Sequence, residues 1–211
     1  MSDTYFFIFS LPPHLVVDTA ALEKSFYALS RRLHPDRFAA RPPAEQEAAL
    51  AESSRLNDAY RTLRDPIART EYLLKLEGIE LEEQSRAATD AAKAAGTAKK
   101  QVVPEDLLEE AFELNMQLEE MRAEKKMGSA GGTESADPQL RKDLLAAKST
   151  FESKLAATDA DLAALHARWD AAFDANDSAA KATAREAMVD LLNRRSYLRN
   201  LVRDVNDALE S

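Results

Sequence analysis

The side chains best placed for chemistry are His34, Pro35 and Asp36, three consecutive residues at the end of an amphipathic run. An imidazole and a carboxylate so close can exchange a proton or offer hydrogen bonds to a partner. The proline between them disfavours helical backbone at His34 and carries no N–H, so the preceding helix must end in a stiff exit. A constrained loop docks at a lower ordering cost, and Asp36 can pair with a basic group. Lys24, Arg31, Arg32 and Arg37 form a cationic patch around the loop, suited to steering towards an acidic surface. An acid–base site would need a third partner and a pocket, and a proline loop suggests neither. His166 and Asp170 stand at i and i+4 and could share a metal, but a pair on a charged helix is usually a surface pair. No Gly-rich phosphate loop is present, so ATP is expected on a partner and no cofactor on this chain.

The elements that position these residues read as helices throughout. Tyr5, Phe6, Ile8, Phe9 and Leu11 cluster before Pro12-Pro13, and Asp18 or Thr19 is a plausible N-cap for the next helix. Leu22, Phe26, Leu29 and Leu33 repeat at helical spacing, which predicts one buried face. A second helix is predicted from about Ala44, with Leu56, Ala59, Tyr60 and Leu63 on its buried stripe and Asp65-Pro66 at its end. A short one follows from Ile67 to about Glu77 and closes on Gly78, a good residue for a left-handed cap. Residues 86–101 are rich in alanine and read as a linker. Pro104 opens a second helical region in which Leu107, Leu108, Phe112, Leu114, Met116, Leu118 and Met121 are too many for one narrow stripe. Residues 128–138 read as a flexible loop, and a long helix follows from Gln139 to about Phe173, with a bend possible near Thr158-Asp159. Asn176-Asp177-Ser178 breaks it before a final helix. The expected class is all-α: residues 1–78 as one compact domain, 79–103 as a connecting segment, and 104–211 as a three-helix bundle.

Composition supports that class and narrows the function. Five glycines in 211 residues are few for a sheet protein, and there is no cysteine, which excludes disulfides and thiolate-held metals or clusters in this chain. A net charge of −9 argues against binding driven by nucleic-acid phosphates. Residues 1–78 carry 11 acids and 10 bases, the remainder 26 and 18, so the two parts are expected to meet different partners. The first residues lack the basic flank of a signal peptide, and no apolar stretch is long enough to span a bilayer, so a soluble cytoplasmic protein is expected.

Set between two helices and followed by Leu56-Asn57-Asp58-Ala59-Tyr60-Arg61-Thr62-Leu63-Arg64-Asp65-Pro66, the His34-Pro35-Asp36 tripeptide resembles that of a J-domain. J-domains stimulate ATP hydrolysis by DnaK-class chaperones. The resemblance runs from residue 4 to about 77 and implies that Lys24, Arg31, Arg32, His34, Pro35, Asp36 and Arg37 contact the chaperone.

Several local sequences resemble the HscB family in particular. They are Tyr5-Phe6 with Phe9 and Leu11-Pro12, Asp36-Arg37-Phe38, and Arg69-Thr70-Glu71-Tyr72-Leu73-Leu74. Leu107-Leu108 with Phe112-Glu113-Leu114, and Tyr197-Leu198 with Leu201, resemble that family's scaffold-binding face. The resemblance implies a co-chaperone, not an enzyme, that delivers an IscU-type iron–sulfur scaffold protein to a DnaK/HscA-class ATPase. It implies Leu108, Phe112, Glu113, Met116 and Tyr197 as scaffold contacts. Glu109 departs from the family, which often has a large apolar residue there, and residues 86–101 and 128–138 look like insertions. The other reading of the chain is a J-domain protein for a different client, its C-terminal helices serving as adaptor or dimerisation module.

Overall fold

A computed structural model describes residues 4–79, 104–128 and 137–210. Regular structure among them is helical. The helices are α1 (Tyr5–Ile8), α2 (Thr19–Arg32), α3 (Pro43–Arg64), α4 (Pro66–Leu76), α5 (Leu108–Gly128), α6 (Pro138–Asp174) and α7 (Ser178–Glu210). Short 3-10 turns cover Pro35–Phe38 and Glu105–Leu107. The linker expected at 86–101 and most of the loop expected at 128–138 lie outside the described residues.

The chain divides into two compact units, Met1–Leu81 with Ala163–Met188, and Glu82–Leu162 with Val189–Ser211. The long helices α6 and α7 therefore contribute to both. In the first unit, α3 packs against α1, α2 and α4. Phe6, Leu15, Leu22, Leu56, Ala59, Leu63, Leu73 and Leu74 are buried there, and Phe26 of α2 stacks on Tyr60 of α3 with ring centroids 4.2 Å apart. The Asp18 carboxylate accepts from the Ala20 and Ala21 amides, and Asp65 does the same for Ala68, so both predicted breaks are side-chain caps. Gly78 has φ +81°, and the amides of Gly78 and Ile79 close α4 onto the Lys75 and Leu74 carbonyls. That is a Schellman cap, where a left-handed residue lets the chain turn back on the last carbonyls.

The same device ends α6. Asn176 has φ 51°, its amide reaches the Phe173 carbonyl, and that of Asp177 reaches Ala172. Asp177 then caps α7 by accepting from Ala179 and Ala180. Two residues thus finish one long helix and start the next. α6 is a single uninterrupted helix through Thr158-Asp159, where a bend was possible; the Thr158 hydroxyl donates to the Lys154 carbonyl.

The second unit is a three-helix bundle. Leu107, Ala111, Leu114, Leu118 and Met121 line up at alternating steps of four and three. They pack against Leu140, Leu144 and Phe151 of α6 and Tyr197, Leu198, Leu201 and Val205 of α7. Polar ties at the edge include Arg194 to Asp106 at 2.7 Å, Arg195 to Asp159 at 2.6 Å, and Lys154 to Glu110. The excess apolar residues of α5 thus resolve into two stripes, one inside the bundle and one outside it.

Candidate functional site

The first candidate site is the loop between α2 and α3. Leu33 closes α2 through its amide on the Leu29 carbonyl, and the chain turns out at His34 into the 3-10 turn that begins with Pro35. The His34 Nδ1 accepts from the Asp36 amide at 3.3 Å, which places the proton of the neutral ring on Nε2. The Asp36 carboxylate lies 3.4 Å from the same Nδ1. His34 and Asp36 are both exposed. The Arg37 guanidinium reaches back to the Arg31 carbonyl at 3.4 Å and ties the loop to the end of α2.

Lys24, Arg31, Arg32 and Arg37 are exposed, and none forms an ion pair with a described residue. Lys24 and Arg31 share a helical face with Tyr27, whose side chain is 55% exposed. Sequence reasoning missed Tyr27. Its signal was spacing: it stands three residues after Lys24 and four before Arg31, off the stripe of Leu22, Phe26, Leu29 and Leu33. The arrangement is a cationic face with an aromatic at its centre, leading into a short, internally hydrogen-bonded loop. It is suited to docking.

The second candidate site is the outer stripe of α5. Leu108, Phe112 and Met116 are 52, 68 and 60% exposed and follow one another at i, i+4 and i+8 on a single face. Glu113 is exposed beside them, as is Glu109. Tyr197 does not join this stripe. It is 9% exposed, sits in the core of the bundle with Leu198 and Leu201, and burial followed by the nearby Asp204 carboxylate pushes its phenol pKa up. The expectation of Tyr197 as an exposed contact is therefore corrected to a core residue, because the α7 face that carries it is the one turned to the other two helices.

The pair His166 and Asp170 is also corrected: it is buried, not a surface pair, and both members are engaged within the first unit. His166 Nε2 lies 2.8 Å from the Thr70 hydroxyl, which also donates to the Pro66 carbonyl at 2.7 Å. Asp170 accepts from the backbone amides of Leu15 and Val16 at 2.6 and 2.8 Å. Trp169 donates its indole N–H to the Pro13 carbonyl at 3.2 Å, and His14 meets Asp174 at 2.8 Å. One face of α6 thus grips the segment from Pro13 to Val16 and the start of α4. Burial, then the positive charge of Arg69, lowers the His166 pKa to about 4, so the ring is neutral at pH 7. Among the described residues no group of three His, Cys, Asp or Glu could hold a metal, and no helix is long and apolar enough to cross a membrane.

The motif Arg69-Thr70-Glu71-Tyr72-Leu73-Leu74 is largely structural. Arg69 is buried and donates to the Leu63 carbonyl near the end of α3. Tyr72 stacks on Tyr5 at 4.4 Å, and its hydroxyl oxygen accepts from the Tyr5 amide at 2.9 Å. Leu73 and Leu74 fill the core. This explains why an N-terminal aromatic cluster accompanies that motif in one chain.

No protein-family model matches the chain. It is similar to a co-chaperone protein HscB homolog of Bordetella petrii, 42% identical over 91 residues, which is 43% of this chain and 54% of the relative. It is similar to another of Neisseria meningitidis, 49% identical over 76 residues, 36% of this chain and 46% of that one. The match thus spans about half the length of the curated relatives. Among solved structures, the chaperone HscB from Vibrio cholerae superposes with a TM-score of 0.59 at 25% identity, over 99% of this chain and 98% of that one. Human co-chaperone protein HscB gives 0.57 at 24%, over 97% and 81%, and shares the fold. By sequence over part of its length and by fold over nearly all of it, this chain is similar to HscB co-chaperones, whose helical architecture it shares.

Proposed function

We propose that this chain is a co-chaperone of iron–sulfur cluster assembly, which presents an IscU-type scaffold protein to a DnaK/HscA-class ATPase. The observation that carries the proposal is a loop with His34 and Asp36 exposed, at the foot of a cationic helix face that forms no ion pair among the described residues. A partner ATPase with an acidic docking surface would be steered by Lys24, Arg31, Arg32 and Arg37. It would then close on a loop whose internal hydrogen bonds already limit its freedom, and Asp36 is open to pair with a basic group there. The chain supplies no chemistry of its own; hydrolysis belongs to the partner.

For the scaffold, the support is the outer stripe of α5. Three large apolar side chains in line, with Glu113 alongside, make a compact patch of the size that carries most of the energy in small interfaces. A second reading, a J-domain protein with another client, draws on Tyr197. Its burial leaves the patch to α5 alone, smaller than the resemblance implies.

Two titrations of the full chain test the proposal. Addition to a purified DnaK-class chaperone should raise steady-state ATP hydrolysis. Calorimetry with an IscU-type scaffold should show binding that weakens in Phe112→Ala. Stimulation without scaffold binding would move the assignment to the second reading, and the absence of stimulation would sink both.

A further inference from the structure

We infer that Gln46 is a positioning residue for the docking loop, holding the far end of that loop in register for the partner ATPase. The inference rests on the proposed function above and names a residue that neither the motif nor the cationic patch contains. The near end of the loop has its own anchors: the Asp36 amide on His34 Nδ1, the Arg37 amide on the His34 carbonyl at 2.9 Å, and the Arg37 guanidinium on Arg31. The far end lacks the usual device. The N-cap of α3 is Pro42, which has no side-chain acceptor, and no side-chain hydrogen bond caps that helix.

Gln46 fills this role from inside the first turn of α3. Its side-chain amide donates to the Arg41 carbonyl at 2.8 Å and to the Ala39 carbonyl at 3.3 Å. A primary amide has two N–H bonds, one for each of these acceptors. Its backbone amide meets the Pro42 carbonyl at 3.2 Å, so one residue fastens both the loop and the helix entry. Fixing Ala39 and Arg41 stops the 3-10 turn from pivoting about its C-terminal end, and that turn carries Asp36 and Arg37. Gln46 itself is exposed and adds nothing to the core. Its loss should therefore be felt in the order of the loop and in docking, not in global stability.

The test uses the full chain with Gln46→Met, which keeps length and helix propensity but removes the donor, and Gln46→Lys, which restores one. Hydrogen exchange is read at the Arg37 and Arg41 amides, and stimulation is titrated against a purified DnaK-class chaperone. In Gln46→Met, exchange should quicken by about tenfold and the half-stimulating concentration rise about fivefold, with maximal stimulation and thermal midpoint unchanged. Gln46→Lys should restore slow exchange, a readout that an added surface charge does not mimic. Unchanged exchange in Gln46→Met, or faster exchange with an unchanged half-stimulating concentration, overturns the inference while the wild type still stimulates. A wild type that fails to stimulate overturns the function itself and the docking role with it.

Discussion

The Asp170 carboxylate receives the backbone amides of Leu15 and Val16, 155 and 154 positions away in the chain. Leu15 is fully buried, so its N–H has no access to water if that acceptor is lost. Asp170→Ala should destabilise the folded chain by about 3 kcal/mol, the cost of stranding a buried donor and a charge-assisted hydrogen bond. Urea denaturation read by far-ultraviolet dichroism measures it. A loss under about 0.5 kcal/mol would mean that the segment from Pro13 to Val16 is held by other contacts.

His166 makes stability depend on pH in a definite direction. Its folded pKa is lowered to about 4 from 6.5, so between those values the unfolded chain binds the proton more readily. Its contribution to stability is then complete above about pH 6.5, falls as pH drops towards 4, and is flat below. The stability lost over that window is on the order of 3 kcal/mol. His166→Gln removes the titration and keeps a partner for Thr70. The difference in urea midpoint between pH 7 and pH 5 should shrink in that variant, and an unchanged difference would assign the acid sensitivity to other groups.

His34→Gln should leave the thermal midpoint where it is, since His34 is exposed, and reduce stimulation of a DnaK-class ATPase by about tenfold or more. The chain should still bind its scaffold. Intact stimulation in this variant would remove the loop from the docking surface.

Phe112 and Tyr197 separate contact from core. Phe112→Ala changes an exposed side chain and should alter stability by less than about 0.5 kcal/mol while weakening scaffold binding. Tyr197→Ala empties part of the bundle core and should cost about 3 kcal/mol. Its effect on binding is interpretable only if the variant remains folded. Thermal melts run beside calorimetry distinguish the two, and a destabilised Phe112→Ala would contradict the assignment of that face as outer.

Most of the fold was legible because its punctuation is local. Asp18, Asp65, Gly78 and the run Asn176-Asp177 act on backbone groups within a few residues of themselves, and such signals survive in a single sequence. The two stripes of α5 were legible only as an excess of apolar residues. Which stripe faces inward depends on two helices that lie later in the chain. Tyr197 shows the same limit, since an aromatic–leucine pair at helical spacing is equally consistent with either face. His166 and Asp170 stand among apolar neighbours such as Leu162, Leu165 and Trp169, a sign that they are buried. Their partners, however, are at Thr70 and Leu15, and no local pattern reports a contact across that distance. The docking loop was read from its motif, whereas Gln46 carries no motif and emerged only from its two carbonyl acceptors.

The grip of α6 on the segment from Pro13 to Val16 has a consequence for exchanging parts between related chains. A chimera cut after α4 would transplant a J-domain whose Leu15 and Val16 amides and Thr70 hydroxyl are shaped for a helix left behind in the donor. Such a graft would meet a foreign α6 with no assurance of an aspartate or histidine in register. Residues 163–188 should therefore travel with 1–81, although they are remote in the gene. Recombination at the end of α4, where the sequence looks most divisible, would therefore separate residues that pack as one unit.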